Sequence, residues 1–267
     1  MWQASVSWDK ALFFVLLAVF AVFFILFRYV GKEKNNFLQS IMFCTSFLIL
    51  FLLAGSPLNT WSHLSFSTHM LQMSLLYFLV PPLFLFGVPR KLLQKWNGLY
   101  RKQVIIPRIA LIAFSILFFL YHLPPLLAFL IQSPILHTFL TWLLFIMAIF
   151  MWLPMIHFNQ RDTRKKFASL SSMLLMPACL LFVVNGLIHQ STTSPFMDQL
   201  IVKLCISPEQ MDVLLPFHID TRIDQIAGGL FMLGLHKLCL LLALHLGERK
   251  GRDIHFTMRK PSLRIGE

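Results

Sequence analysis

Seven apolar runs, each long enough to cross a lipid bilayer, recur along the chain at roughly 10–29, 38–55, 66–87, 104–122, 135–156, 169–189 and 224–246. A hydrocarbon core of ~30 Å needs about 20 such residues in helical form, and inside it the backbone must satisfy its own polar groups. The expected fold is therefore all-α, a polytopic membrane helical bundle with seven transmembrane helices. Charged residues make up only 13% of the chain, against roughly 25% in a soluble domain. No other segment is long enough for a separate soluble domain. Residues 1–247 read as one transmembrane domain and 248–267 as a basic cytoplasmic tail.

The basic residues fix the expected orientation. Lys and Arg cluster after the first run (Arg28, Lys32, Lys34), the third (Arg90, Lys91, Lys95, Arg101, Lys102, Arg108), the fifth (Arg161, Arg164, Lys165, Lys166) and the seventh (Arg249, Lys250, Arg252, Arg259, Lys260, Arg264). The opposite side carries only Lys10, Lys203 and Arg222, and Lys237 falls inside the last run. By the positive-inside rule the N-terminus is out and the C-terminus in. The net charge of +12 is thus a topology signal near anionic headgroups, and nucleic acid is excluded as a partner. Lys10 has Asp9 beside it and no small-residue cleavage site follows the first run, so that run reads as an uncleaved span. Cys44, Cys179 and Cys239 sit in apolar runs and read as small buried hydrophobes, whereas Cys205 lies in a long loop.

Three connections face outward. The first contains His63; the second, 122–134, is apolar with Pro124 and Pro125 and is expected to form a short helix. The third, 190–223, carries two helix-start signals, Ser194-Pro195 and Ser207-Pro208-Glu209-Gln210.

The stretch 67–89, STHMLQMSLLYFLVPPLFLFGVP, organises the rest. Pro81 and Pro82 break an apolar run, which membranes tolerate where neighbouring helices re-satisfy the freed carbonyls. Its outer lip holds His69, Met70, Gln72 and Met73. His69 and Met73 are four residues apart and share a helix face, with Gln72 beside them, while Met70 points elsewhere. Six of the ten histidines, His63, His69, His122, His137, His189 and His218, fall at the predicted outer face. Imidazole is the commonest metal ligand and thioether selects Cu(I) over harder ions, so this end is a candidate copper site. Headgroup anchoring of single amphipathic histidines is the plainer reading of the same residues.

The last run opens with Asp224-Gln225, continues through Gly228-Gly229 and Met232, and carries His236-Lys237 near its middle. Asp224 suits the helix dipole, and the glycines suit close helix packing. Gln225, Gly229, Met232 and His236 share a broad stripe, which is expected to lead inward from the outer cluster. Lys237 at mid-depth costs about 2.5–3.5 kcal/mol on insertion scales and is expected to face the bundle or snorkel. No Ser-His-Asp set, phosphate-binding glycine loop, HExxH or CxxC is present, which argues against an enzyme. A haem held by two buried histidines is weaker still, because only His236 is deep.

Four motifs in order resemble a known family. HMLQ, followed by PPLFLFGVP, resembles its HMxQ and PPLLLxGxP segments; YHLP resembles its Trp-His-x-Pro; Trp152-x-Pro154 closes a similar fifth span; and DQIAGGLFM is similar to its DQxxGGxxM. The family is the seven-span cytochrome c oxidase assembly factors called CtaG in Gram-positive bacteria, and the likeness runs from about residue 56 to 246. The resemblance implies a multi-pass protein of the bacterial cell membrane. Such a protein would assist assembly of a caa-type haem–copper oxidase, with oxidase subunits and the bilayer as partners and copper, as Cu(I), as its metal. Carried over by position, the family's outer histidines are His69, His122 and His137, and its acidic residue is Asp224, followed by Gln225. Where many relatives repeat a histidine four residues on, this chain has Met73 and Thr141. Met73 softens a site towards Cu(I) and Thr141 is a poor ligand; Tyr121 in place of Trp is read as a minor change. The expected ligands are His69 and Met73 with His122, His137 or His218, supported by Met70, Gln72, His63, His189, Asp224, Gln225, Met232 and His236. Two other functions fit the sequence: a metal-free scaffold or chaperone for an oxidase subunit, and a transporter of copper or another small solute.

Overall fold

A computed structural model of the chain describes residues 8–30, 37–58, 65–88, 105–157, 161–188 and 221–258. The elements in these stretches are all helices: α1 (Lys10–Val30), α2 (Phe37–Gly55), α3 (Phe66–Gly87), α4 (Ile105–Tyr121), a short α5 (Pro124–Gln132), α6 (Pro134–His157), α7 (Arg161–Ile188) and α8 (Thr221–Met258). Helices α2, α3, α6, α7 and α8 are long and apolar enough to cross a membrane. The first and fourth runs contribute shorter apolar helices, Lys10–Ile25 and Pro107–Tyr121. The all-α membrane bundle expected from the sequence is what forms.

Helix α5 is the short helix expected in the connection 122–134, with proline at its first helical positions. Two ends differ from the hydropathy reading. Helix α7 begins at Arg161 rather than near 169, and α8 runs past Gly247 to Met258. Hydropathy marks where a helix leaves the apolar layer, whereas hydrogen bonding along the backbone continues beyond it. The helix-start signals at Ser194-Pro195 and Ser207-Pro208 lie outside the described residues, as do His63, His189, His218 and Cys205.

Helix α3 is the centre of the bundle. Of its span 72% is buried, against 22–44% in the other four long helices. It packs on α2, α6 and α8, while α7 packs mainly on α8 and α4 on α6. Its proline pair is absorbed without ending the helix. The backbone widens to a π turn over Leu75–Leu79, where the Val80 N–H donates to the Leu75 carbonyl, and then returns to α geometry. The Tyr77 carbonyl would receive an N–H from residue 81 in an α-helix or from residue 82 in a π-helix, and both are proline. Trp152 on α6 supplies the missing donor, its Nε1–H reaching the Tyr77 oxygen at 3.0 Å. Both partners are buried.

Phenylalanines fill the seam between α1, α2 and the far end of α3. Phe20, Phe43, Phe47 and Phe84 meet with ring centroids 5.0–6.0 Å apart, an arrangement suited to the ring quadrupole. A Cβ on Gly87 would lie 2.7 Å from the Phe43 nitrogen, so α2 and α3 touch backbone to backbone there. The glycine pair of α8 works on two sides. Gly228 faces Phe66 and Met70 of α3, and Gly229 lies against the Cys179 carbonyl and Val183 of α7, the close approach that small residues permit.

One expectation needs correction and another is narrowed. Cys44 is exposed on α2, whereas Cys179 and Cys239 are buried as expected; all three are free thiols. Of the two alternatives for Lys237, facing the bundle is ruled out, since it is exposed and the buried side of α8 at that level is taken by His236 and Cys239.

Trp152→Phe should strand the buried Tyr77 carbonyl at a cost of about 1–3 kcal/mol, read as a fall in Tm by thermal unfolding in detergent. Pro81→Ala returns an N–H to Tyr77, so the same tryptophan change should cost less in that background. Equal losses in both backgrounds would refute the proline–tryptophan link.

Candidate functional site

The end of the bundle where α3 and α8 begin and α4 and α7 finish is held by polar clips rather than by apolar packing alone. Asp224, in the first turn of α8, reaches across to the start of α3. Its Oδ1 accepts from the Ser65 hydroxyl at 2.6 Å and from the Ser67 N–H at 3.0 Å, and its Oδ2 accepts from the Phe66 N–H at 2.7 Å. The first amides of any helix lack partners within it, and the Ser65 side chain does not cap its own helix. A carboxylate from another helix does that work and also complements the α3 dipole. Gln72 ties α3 to α2 by donating from Nε2 to the Leu53 carbonyl at 2.6 Å. Arg222 Nε–H donates to the Gly186 carbonyl at 2.9 Å and closes the end of α7 on α8.

Three of the expected histidines lie at this end. His69 of α3 and His122, in the turn after α4, are fully buried, and His137 near the start of α6 is half-buried. Headgroup anchoring does not describe the two buried ones, since neither ring reaches the surface. The rings of His69 and His137 lie 6.3 Å apart, centroid to centroid. A ring nitrogen binds a metal at about 2.0 Å and lies about 1 Å from its centroid, so one ion bridges two rings up to about 6 Å apart. The pair sits at the edge of that range. Met73 is buried one turn along from His69.

His122 is held by the backbone at one ring nitrogen. Its Nδ1 is 2.6 Å from the Phe118 carbonyl, an acceptor, so the proton is on Nδ1 and the lone pair on Nε2. That Nε2 is buried and makes no hydrogen bond among the described residues. A backbone carbonyl holding one nitrogen so that the other can bind metal is the usual support for a histidine ligand. Tyr121 stands beside both rings, 5.0 Å from His122 and 5.9 Å from His137.

The tyrosine was underrated in the sequence. Its hydroxyl is 2.8 Å from His137 Nε2, so replacing tryptophan by tyrosine puts a group here that can donate or accept. Thr141 is no ligand but helps to build the site. Its hydroxyl donates to the His137 carbonyl at 2.9 Å, and the Tyr77 hydroxyl leans on the Thr141 carbonyl at 3.4 Å. A buried tyrosine next to a histidine was the available signal, because a buried phenol needs a partner.

Other expected residues are placed elsewhere. Asp224 is a helix clip. Met70 packs against Gly228 of α8, and Gln225 lies near Gly186 of α7. Met232 and His236 are fully buried further down α8. The His236 ring packs 4.7 Å from Phe78 in the π turn, with Ser171 3.4 Å from its Nε2. Among the described residues no three His, Cys, Asp or Glu side chains come together as a metal site. An apolar cavity of ≈ 390 Å³ between α1, α2, α3 and α6 contains none of the histidines and is lined by residues such as Leu50, Phe84, Trp142 and Phe145.

A family model described as cytochrome c oxidase caa3 assembly factor (Caa3_CtaG) matches residues 18–246. No curated protein and no solved structure matches the chain.

Asp224→Ala should cost about 2–4 kcal/mol, from two backbone amides and a hydroxyl that lose a charged acceptor. Asp224→Asn should cost less, since one acceptor oxygen remains. Thermal unfolding of the purified variants checks the order, which would be reversed or flat if the carboxylate served a ligand rather than the start of α3.

Proposed function

Because the chain belongs to the cytochrome c oxidase caa3 assembly factor family, we propose that it is a non-catalytic membrane protein that holds Cu(I) briefly at its histidine end. It would then deliver the ion to an oxidase subunit. The observation that carries this reading is the approach of the His69 and His137 rings, from α3 and α6, to 6.3 Å, with His122 buried at the same end of the bundle and its Nε2 making no hydrogen bond among the described residues. His69 and His137, with the Met73 thioether one turn along, make a soft, low-coordinate set that suits Cu(I) better than Zn(II). A site short of ligands also suits transfer, because a completed site would retain its ion. With the basic loops inside, this end faces outward from a bacterial plasma membrane, on the side from which a copper donor would meet it.

A metal-free scaffold for an oxidase subunit is the second reading. It is favoured by the hydrogen bond between Tyr121 and His137, which engages a ring nitrogen that a metal would otherwise use.

Detergent-purified protein equilibrated with Cu(I) under reducing conditions should retain about one equivalent. His69→Ala should weaken retention by about tenfold or more, and Met73→Leu, which keeps the volume, should weaken it without altering the Tm. Wild-type stoichiometry near zero overturns the copper reading and leaves the scaffold. In that case deletion should abolish the oxidase even when copper is added.

A further inference from the structure

At the opposite, basic end of the bundle, Arg164 is buried. It lies in the first turns of α7, flanked by the exposed Arg161, Lys165 and Lys166, yet only 5% of its own surface is accessible. Its Nε is fully enclosed and makes no hydrogen bond, and no carboxylate pairs with it among the described residues. Asp162 is exposed and two residues away, a spacing that does not share a helix face. A largely buried guanidinium without a counter-charge is costly, by several kcal/mol in effective desolvation.

The crevice that holds it is built by three helices. A Cβ on Gly247 of α8 would collide with Arg164 Nη1 and lie 3.3 Å from the Met155 carbonyl of α6. Glycine at 247 is therefore what gives the guanidinium its place. The depth of the crevice identifies what it meets. Exposed large apolar residues on α7 begin at Leu170, followed by Met173 and Met176. Six residues of helix rise about 9 Å, which sets Arg164 just beyond the hydrocarbon edge, at the level of lipid phosphates. The amides of the first turn of α7 point to the same end.

We propose that Arg164, in the crevice kept open by Gly247, binds the phosphate of an anionic phospholipid and pins the α6–α7–α8 corner to the headgroup layer. Guanidinium presents paired N–H donors to a phosphate, and basic pockets between membrane helices are suited to such headgroups. Arg161, Lys165 and Lys166 add a surrounding field without entering the crevice.

The test is lipid-dependent stability of the full-length protein in detergent, titrated with phosphatidylglycerol, phosphatidylcholine or inorganic phosphate alone. Phosphatidylglycerol should raise the wild-type Tm by about 5 °C and be retained in native mass spectrometry roughly tenfold over phosphatidylcholine. Arg164→Gln should lose most of both effects. Gly247→Ala, which displaces only the tip of a flexible side chain, should lose them while keeping the charge and the fold. Lys166→Gln should behave as wild type. An unchanged lipid effect in Arg164→Gln and Gly247→Ala overturns the proposal. An equal shift from inorganic phosphate alone overturns the lipid assignment. If Glu248→Gln instead destabilises the lipid-free protein as much as Arg164→Gln does, the charge is neutralised within the chain and the proposal also fails.

Discussion

Tyr77 keeps a carbonyl that nothing in its own helix can reach, because residues 81 and 82 are both proline. In water such a group would be solvated, whereas in hydrocarbon it costs several kcal/mol unless another helix supplies a donor. The indole of Trp152 supplies it. One hydrogen bond thus sets the depth and rotation of α6 against α3, the most buried helix in the bundle. The π turn before it goes with the same prolines, whose rings crowd the carbonyls four residues back, and in it the Val80 N–H finds its acceptor at Leu75 rather than one residue nearer.

The other end of α3 is fixed by the same rule applied to donors. Its opening amides have no acceptor within the helix, and Asp224 brings one from α8. Helix α3 is therefore held at its start by α8 and at its proline break by α6. His69 lies one turn inside the first clip, and His137 is carried by the helix that provides the second. The approach of these two rings is a consequence of backbone satisfaction at two distant points. No attraction between the histidines is needed to explain it.

The two ends of the bundle solve different electrostatic problems. At the histidine end polar side chains tie the helices together: Asp224 with amides, Gln72 and Arg222 with carbonyls, His137 with Tyr121. His122 has one nitrogen tied to the backbone and the other left with a lone pair. At the basic end Arg164 carries a full charge into a crevice shaped by Gly247. Groups of this kind mark where a protein expects something from outside the chain.

Residue order alone determined the helical class and most of the span positions, because a run of some twenty apolar residues has few other ways to satisfy its backbone. It also marked the prolines, the glycine pair and the histidines as distinctive. It left open what Asp224 and Tyr121 meet and which side Lys237 faces, since each depends on which helix stands opposite. Helical spacing tells which residues share a face but carries no information on what that face meets. Only the tertiary structure decided that His69 and His122 are buried, that a tryptophan 75 residues away completes the proline break, and that α3 is the most buried of the long helices. Those outcomes are set by donors and acceptors between helices, pairings between residues far apart in the sequence that no local pattern records.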